Sequence, residues 1–302
     1  MLADWGDAER RLTDRVSVLV GSEAGAYPSG NSVLVRGASE AFLIDPSVDV
    51  VSRGGVPVAI DAVLNSHAHE DHMPGNGFFK EARVHIHEAD LPGARSLDGL
   101  MAVYGFRDDG IRRAFEGIVV EEFHFAPRPD ARGFGDGAVF DLGGLRIEAV
   151  HLPGHTRGHS GFRIGDDVFF LSDIDLTGFG PYYGDAWSEL DDFEASLRRV
   201  RDEEARFYVT FHHKGVIEGR DDFLAMVDRF ASVIDRRHSA MLEFLAMPRS
   251  LDEMVAHRFV YRPHVEMPIV EPVERRTAEL HLARMLTRGE ATEFEPGRYC
   301  AT

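Results

Sequence analysis

The chain has 302 residues, of which 44% are hydrophobic and 28% charged, so it is neither fibrous nor largely disordered. Because a single core rarely grows beyond about 250–300 residues, we expect one large domain and a small addition. The formal net charge is −18, and a surface this acidic repels phosphate backbones and anionic membranes. From Arg229 onward, arginines and acidic residues balance, so the excess charge lies in the first 228 residues.

Cysteine content and the N-terminal residues bear on the cellular compartment. The single cysteine, Cys300, excludes a disulfide framework. Residues 1–12 are polar and acidic and do not resemble a secretory signal. A bilayer-spanning helix needs about 18 or more consecutive apolar residues, and the sequence shows no such run. The sequence therefore predicts a cytoplasmic protein without a membrane span.

Short apolar runs separated by Gly, Pro and Asp dominate the N-terminal half and predict strands. The predicted strands are 16–20, 31–35, 41–44, 62–64 and 84–87. The stretch 91–117 has helical spacing instead.

A second series of strands follows at 138–140, 145–150, 161–164 and 168–171, with a last strand at 207–211. Between them, residues 186–203 predict a helix, because Leu190, Phe193, Leu197 and Val200 recur on one face.

The remainder of the chain has helical patterning. Ser250 and Glu253 form a capping-box signature, and 277–286 predicts another helix, which Gly289 follows. We place a domain boundary at residue 230, with a catalytic domain at 1–230 and a helical domain at 231–302.

Histidines and aspartates cluster after the strand 62–64, in the segment Ser-His-Ala-His-Glu-Asp-His that ends at His72. His67 and His69 are two apart, so in extended backbone their imidazoles point to the same side and suit one cation. Asp71 and His72 are adjacent and cannot share that face. A second cation would use them, since two-metal hydrolytic sites have spacings of about 3.5–4 Å.

Three further segments place His or Asp at the end of a predicted strand. The first runs from His151 through Pro-Gly-His to His159, the second ends at Asp173, and the third ends at His212 and His213. Side chains that follow neighbouring strands meet at one edge of a sheet. We therefore expect these residues to meet the His67–His72 segment there.

In their order and spacing across residues 15–215, these segments resemble the motifs of the metallo-β-lactamase superfamily. The matching motifs are His-x-His-x-Asp-His, Pro-Gly-His-Thr-x-Gly-His, a small residue followed by Asp, and a terminal His. The resemblance implies a four-layer αββα sandwich with metals at one edge of the packed sheets. Ser66 and Ser172 depart from the family pattern, which has Thr and Gly at these positions.

Roles for individual residues follow from the resemblance. It implies one metal held by His67, His69 and His155, a second held by Asp71, His72 and His212, and Asp173 as the bridge. Asp71, His72 and Asp173 would also act in catalysis, in which a metal-bridging hydroxide is the nucleophile. Zinc suits imidazole and carboxylate ligands best, and iron or manganese are also accepted.

Neighbouring residues compete for some of these roles. His155 is preferred over His151 and His159 because it lies in the Pro-Gly-His turn, and His159 is expected to orient a ligand. Asp173 is preferred over Asp175 because it ends the apolar strand. His212 is preferred over His213 because it directly follows the strand.

Four residues outside the ligand set are also candidates for a role. Tyr182 and Tyr183 follow the bridging aspartate, and Lys214 follows the last histidines, so we assign substrate contacts to all three. Asp45 ends a strand and is expected to be a structural hydrogen-bonding residue.

The C-terminal helices resemble the small winged-helix-like domain of the lactamase-B2-like and glyoxalase-II-like hydrolases. Winged helices often bind nucleic acid, but this region has no net positive charge. We therefore expect it to cap the mouth of the active site or to mediate subunit contact, as in a homo-oligomer.

The predicted function is binuclear, metal-dependent hydrolysis of an ester-like bond, such as a thioester or lactone, in a small molecule. One alternative is a metal-dependent ribonuclease or phosphodiesterase, which the acidic charge disfavours. A non-hydrolytic di-iron protein and a catalytically silent binding module are the others.

Overall fold

Two large β-sheets and one small sheet account for the strands of the computed structural model, which describes residues 2–302. The first sheet has the order β1 to β7: β1 Glu9–Arg11, β2 Val16–Leu19, β3 Ser32–Arg36, β4 Ala41–Ile44, β5 Ala62–Leu64, β6 Arg83–His87 and β7 Arg132–Phe134. The second has the order β13-β12-β11-β10-β9-β8: β8 Val139–Asp141, β9 Arg146–His151, β10 Ser160–Ile164, β11 Val168–Ser172, β12 Phe207–Thr210 and β13 Val216–Glu218. The small sheet has the order β14-β16-β15: β14 Arg249–Ser250, β15 Ala291–Glu295 and β16 Arg298–Ala301.

Alternation of side chains along the strands builds the layers. In β11, Val168 and Phe170 enter the core between the two large sheets, whereas Phe169 and Leu171 enter the core beneath the outer helices. Successive side chains of a strand point to opposite faces, so a strand that is apolar throughout must be covered on both faces. The result is the four-layer αββα sandwich that the sequence predicts.

Helices cover the outer faces of both large sheets. The main α-helices are Val48–Ser52, Leu91–Arg95, Leu97–Tyr104, Asp109–Glu121, Leu190–Val200, Arg220–Phe244, Leu251–His257 and Val270–Arg288. The helix predicted at 186–203 is shorter in the structure, but all four residues of its predicted apolar face are buried. Within residues 2–302, no helix has the length and apolar character needed to cross a bilayer.

The helix Arg220–Phe244 connects the sandwich to the C-terminal region, and the boundary predicted at residue 230 falls inside it. Its first half packs Phe223 and Val227 against the second sheet, and Met241 near its end belongs to a separate C-terminal core. The capping box of Ser250 and Glu253 is present as predicted. The small sheet was not predicted, because its strands are short and only one of their residues, Ala291, is buried.

The last helix begins at Val270, earlier than the predicted start at residue 277. Pro272 lies in its first turn, where a missing N–H costs no helical hydrogen bond. The helix is therefore longer at its N-terminal end than the sequence indicated.

Phe223 provides a test of the helix-to-sheet packing. Its ring stacks on Tyr208 with centroids 3.7 Å apart, and it is fully buried. We expect Phe223→Ala to lower the free energy of unfolding by about 3–5 kcal/mol, measured by denaturant unfolding. Phe294, which is 65% exposed, is the control, and equal stability of the two Ala variants would contradict this packing.

Candidate metal centre

The side chains predicted to bind metal follow strand ends on one edge of the two large sheets. In the first sheet β4, β5 and β6 are parallel, and the loop after β5 contains His67–His72. In the second sheet β9, β11 and β12 run in one direction, because β9 and β11 are both antiparallel to β10 and β12 is parallel to β11. Their carboxyl ends lead to His155, Asp173 and His212, so sheet topology brings distant parts of the chain together.

Three imidazoles and one carboxylate form the first group. The ligand atoms of His67, His69, His155 and Asp173 all lie within 4.8 Å of one another. Nε2 of His155 lies 3.1 Å from Nε2 of His67 and 3.0 Å from Nδ1 of His69. Nitrogens this close around one point match the ligands of a single cation with bonds of about 2.0–2.1 Å.

Asp71, His72 and His212 form the second group, whose ligand atoms also lie within 4.8 Å of one another. Nε2 of His212 is 2.9 Å from Oδ2 of Asp71. Asp173 stands between the groups, since its Oδ2 lies 3.2 Å from Nε2 of His155 and its Oδ1 lies 3.1 Å from Nε2 of His72. This is the placement expected for a bridging carboxylate.

Three buried atoms of these groups lack a hydrogen-bond partner among residues 2–302, and one of them, Nε2 of His69, lies beside Oδ2 of Asp185. The other two are Nε2 of His72 and Oδ1 of Asp173, which face one another. A buried polar atom without a partner costs about 1–3 kcal/mol, and a cation coordinated by both atoms removes that cost. The residues therefore fit a divalent cation, and the His and Asp cluster indicates divalent metal binding.

Burial and neighbouring charges set the protonation of the cluster. Burial and the nearby histidines hold the pKa of His67 well below its usual range, so its imidazole is neutral. Burial opposes ionisation of Asp71 and Asp173, but His72 and His212 outweigh it and lower the pKa of both carboxyl groups. Neutral imidazole and ionised carboxylate are the forms that bind metal.

In contrast to His67, the histidines closest to carboxylates have a raised pKa. Burial would lower the pKa of His212, but the charge of Asp173 and the contact with Asp71 raise it to about 9. The pKa of His69 is likewise raised to about 9, because Asp185 outweighs burial. Without metal these imidazoles carry protons that a cation must displace.

Hydrogen bonds hold the far nitrogen of several imidazoles. Nδ1 of His72 donates to Asp45 at 2.8 Å, Nδ1 of His155 donates to the carbonyl of Tyr182 at 2.9 Å, and Nδ1 of His212 donates to the carbonyl of Gly25 at 2.9 Å. Such contacts fix the tautomer and the ring orientation of a metal ligand. Asp45 is therefore placed in the hydrogen-bonding role that the sequence predicts.

The two departures from the family pattern contact each other. Ser172 has a φ of 53°, in the left-handed region that favours glycine. Its hydroxyl donates to Oγ of Ser66 at 2.7 Å, and Oγ of Ser66 donates to Asp45 at 2.6 Å. Both serines thus support the contact that orients His72.

The competing residues lie outside the two groups. His151 stacks on His87 with centroids 4.0 Å apart. Nε2 of His159 accepts the backbone N–H of Asp173 at 3.3 Å, the orienting position expected for it. Asp175 accepts hydrogen bonds from Thr177 instead, and burial raises the pKa of Asp175 to about 6.

A cavity of about 330 Å³ lies beside the two groups, and the structure places only part of the predicted substrate contacts there. Tyr182 and His213 line it. Tyr183 is buried elsewhere, with its hydroxyl 2.9 Å from Nε2 of His281. Lys214 is exposed and does not line the cavity. Tyr183 and Lys214, to which the sequence assigns substrate contacts, thus lie outside this cavity.

Several residues of the site had no recognisable sequence signal. Oδ2 of Asp185 lies 2.9 Å from Nε2 of His69, and Asp185 comes from a loop without a motif. Glu70, the variable residue of the His motif, accepts hydrogen bonds from Tyr27 and Tyr104. The two tyrosines are far from the motif in sequence, so only the fold reveals them.

The contact between His69 and Asp185 can be tested through metal affinity. Asp185→Asn removes the charge beside His69, and we expect affinity for Zn²⁺ to fall about 10–100-fold, the usual effect of losing such a partner. Competition with a chromophoric chelator measures it. Asp166→Asn, at an exposed turn, is the matched control. Unchanged affinity in Asp185→Asn would remove Asp185 from the site.

Known structures share this fold along the whole chain. A metallo-beta-lactamase family protein from Thermus thermophilus has a TM-score of 0.72 at 22% identity, covering 97% of this chain and 100% of that one. A beta-lactamase domain protein from Burkholderia ambifaria also has a TM-score of 0.72, at 17% identity, covering 100% of this chain and 96% of that one. At such identities the similarity shows the fold alone.

Curated relatives align over shorter stretches. An acyl-coenzyme A thioesterase of Gallus gallus is 28% identical over 199 residues, 58% of this chain and 68% of that protein. An atrochrysone carboxyl ACP thioesterase of Pseudocercospora fijiensis is 22% identical over 262 residues, 82% and 66% respectively. A hydroxyacylglutathione hydrolase of Aeromonas salmonicida is 27% identical over 150 residues, 48% and 46% respectively.

A family profile gives the assignment. The profile described as the metallo-beta-lactamase superfamily matches residues 27–234, a range that contains every residue of the two groups. With this match, the four-layer fold and the buried His and Asp cluster, the chain belongs to the metallo-beta-lactamase superfamily.

Proposed function

We propose that this metal-dependent hydrolase binds two divalent cations and cleaves an ester-like bond of a small molecule, most directly a thioester. The observation that carries the proposal is the pair of ligand groups on either side of Asp173. One mononuclear site would need only the first group. The second group, equally buried and adjacent, supports a binuclear centre.

The assignment of ligands follows the two groups. His67, His69 and His155 would hold the first cation and Asp71, His72 and His212 the second, and Asp173, whose oxygens face both groups, would be shared between them. Zinc is the first choice for these ligands, and iron or manganese are the alternatives. When bound, such a pair of cations polarises the substrate carbonyl and makes water a nucleophile at neutral pH.

Side chains of the centre also act on the substrate. Asp71 and Asp173 both line the cavity, so their carboxylates stand next to the bond to be cleaved. As a carboxylate, Asp71 would take up the proton that the attacking water loses and pass it to the leaving group. His72, whose ring is oriented by Asp45 at 2.8 Å, would hold the second cation.

A thioester is favoured over the other ester-like bonds by the names of the relatives. Two of the three relatives described above are named thioesterases. Cleavage of RNA is disfavoured by the net charge of −18 and by a cavity whose lining, among residues 2–302, contains neither Lys nor Arg, since phosphate backbones are bound largely by basic side chains. Cytoplasmic location and homo-oligomerisation stay predictions.

His155→Ala tests the metal centre against a matched control. We expect it to lower thioesterase kcat/KM by more than about 100-fold, because even the partners of metal ligands are worth about 10–100-fold. His151→Ala changes the same residue type in the same segment, outside the groups, and should keep wild-type activity. Chelation should abolish the thioesterase activity of the wild-type enzyme, and added zinc should restore that activity.

Two results would contradict the proposal. The first is wild-type kcat/KM in His155→Ala. The second is thioesterase activity that persists after exhaustive chelation with the fold intact by circular dichroism.

A further inference from the structure

Aromatic and aliphatic side chains form a large part of the lining of the cavity beside the metal centre. Its volume is about 330 Å³, and six aromatic residues line it: Tyr27, Tyr104, Phe115, Phe179, Tyr182 and Tyr261. Met267 and Ile269 add aliphatic surface. The ionisable groups of its lining are histidines, tyrosines and carboxylates, and in the described part of the chain no Lys or Arg joins them.

One wall of the cavity comes from the C-terminal region. Tyr261, Met267 and Ile269 belong to the segment 258–269, between the helices Leu251–His257 and Val270–Arg288. The ring of Tyr261 lies 5.6 Å from that of Phe179, which is in the loop after Asp173. The segment therefore closes the cavity against a loop of the sandwich.

A buried carboxylate holds this wall in place. Glu274, on the last helix, is 1% exposed, and it accepts backbone N–H bonds from Phe259 at 2.8 Å, Val260 at 3.0 Å and Tyr261 at 2.7 Å. Hydrogen bonds to an ionised acceptor are roughly twice as strong as neutral ones. Glu274 thus fixes the backbone from which the Tyr261 side chain projects.

A second charged residue holds the far side of the segment. Arg258 donates to the carbonyls of Pro263 at 3.1 Å and Val265 at 3.0 Å. With Glu274 at its start and Arg258 across its turn, the segment has a defined backbone although it contains no helix or strand. A wall defined in this way can select substrates by how well they pack against it.

The lining determines which chemical group the cavity accepts. Aromatic and aliphatic walls favour a hydrocarbon or aryl group. Glu70 and Asp175, which lie along the lining outside the two ligand groups, repel a second carboxylate. The volume is near the lower end of the range of about 300–1,000 Å³ that is usual for small-molecule pockets, so the group is of moderate size.

We infer that this cavity binds the acyl group of the substrate, that this group is uncharged, aliphatic or aromatic, and that Tyr261 on the Glu274-anchored segment forms the wall against which it packs. The inference rests on the proposed function, because it takes the adjoining groups as the place of hydrolysis. Tyr261 contacts the acyl group, and Glu274 is a positioning residue that acts through Tyr261.

The test uses thioesters of one neutral thiol, N-acetylcysteamine, with acetyl, octanoyl, phenylacetyl and succinyl groups. For the wild-type enzyme we expect kcat/KM for octanoyl and phenylacetyl to exceed that for acetyl and succinyl by at least about tenfold, since even one methylene in an apolar pocket is worth about 10–200-fold. Tyr261→Ala should lower the ratio of octanoyl to acetyl by about tenfold, mainly through KM.

Glu274→Gln tests the positioning role. Gln keeps the shape of Glu but replaces one acceptor oxygen with a donor, so the N–H bonds of Phe259–Tyr261 weaken. We expect the octanoyl-to-acetyl ratio to fall, the amides of residues 259–261 to exchange faster with deuterium, and the metal content to stay the same. Glu271→Gln, on the same helix and outside the cavity, should change none of these.

The outcomes separate this inference from the proposed function. Hydrolysis of all four thioesters at similar rates, or an unchanged ratio in Tyr261→Ala, overturns the inference and leaves the proposed function standing. If the metal-loaded protein cleaves no thioester, the proposed function fails. Calorimetric titration with octanamide then decides about the cavity: saturable binding that Tyr261→Ala weakens about tenfold supports it, and absence of binding overturns it.

Discussion

A carboxylate shared between two sets of histidines is the interaction on which the site depends. Asp173 directs Oδ2 toward His155 and His67 and Oδ1 toward His72. Burying charged and polar side chains is costly unless each finds a partner, and every member of both groups is at most 13% exposed. The two sheets bring these side chains together, and bound cations would satisfy the atoms of His72 and Asp173 that have no hydrogen-bond partner.

A second carboxylate joins the loops that carry the ligands. Asp90 is fully buried and accepts hydrogen bonds from the backbone N–H of Ala68 at 3.1 Å, the hydroxyl of Thr156 at 2.6 Å and the backbone N–H of Gly158 at 2.7 Å. A side chain at Gly158 would place its Cβ 2.7 Å from Cγ of Asp90. Close packing against this carboxylate therefore explains the second Gly of the Pro-Gly-His-Thr-x-Gly-His motif, Gly158.

The C-terminal region does more than extend the chain. It supplies one wall of the cavity through Tyr261 and holds the loop after Asp173 through Arg237, which donates to the carbonyl of Phe179 at 2.8 Å. The C-terminal region thus contributes to the shape of the site, because it links the wall of the cavity to the loop that follows Asp173.

The strand patterns, the metal-binding motifs and the family were predictable because they depend on local sequence. Alternation in β11 and the His-x-His-x-Asp-His loop have fixed short-range spacing. The roles of Asp185 and Glu274 could not be predicted from the sequence. Asp185 contacts His69, which is far away in the chain, and Glu274 accepts hydrogen bonds from backbone amides. The direction of Tyr183 was also undetermined, because its partner His281 comes from the last helix. The boundary at residue 230 was placed within a helix, since one apolar stripe serves two cores.

Metal content per chain tests the central claim most directly. The protein is saturated with zinc, dialysed against metal-free buffer and analysed by elemental analysis alongside its His212→Ala variant. The account predicts close to two equivalents for the wild-type chain and close to one for the variant. A single equivalent in the wild-type chain would contradict a binuclear centre that Asp173 bridges, and none would contradict metal binding by these residues altogether.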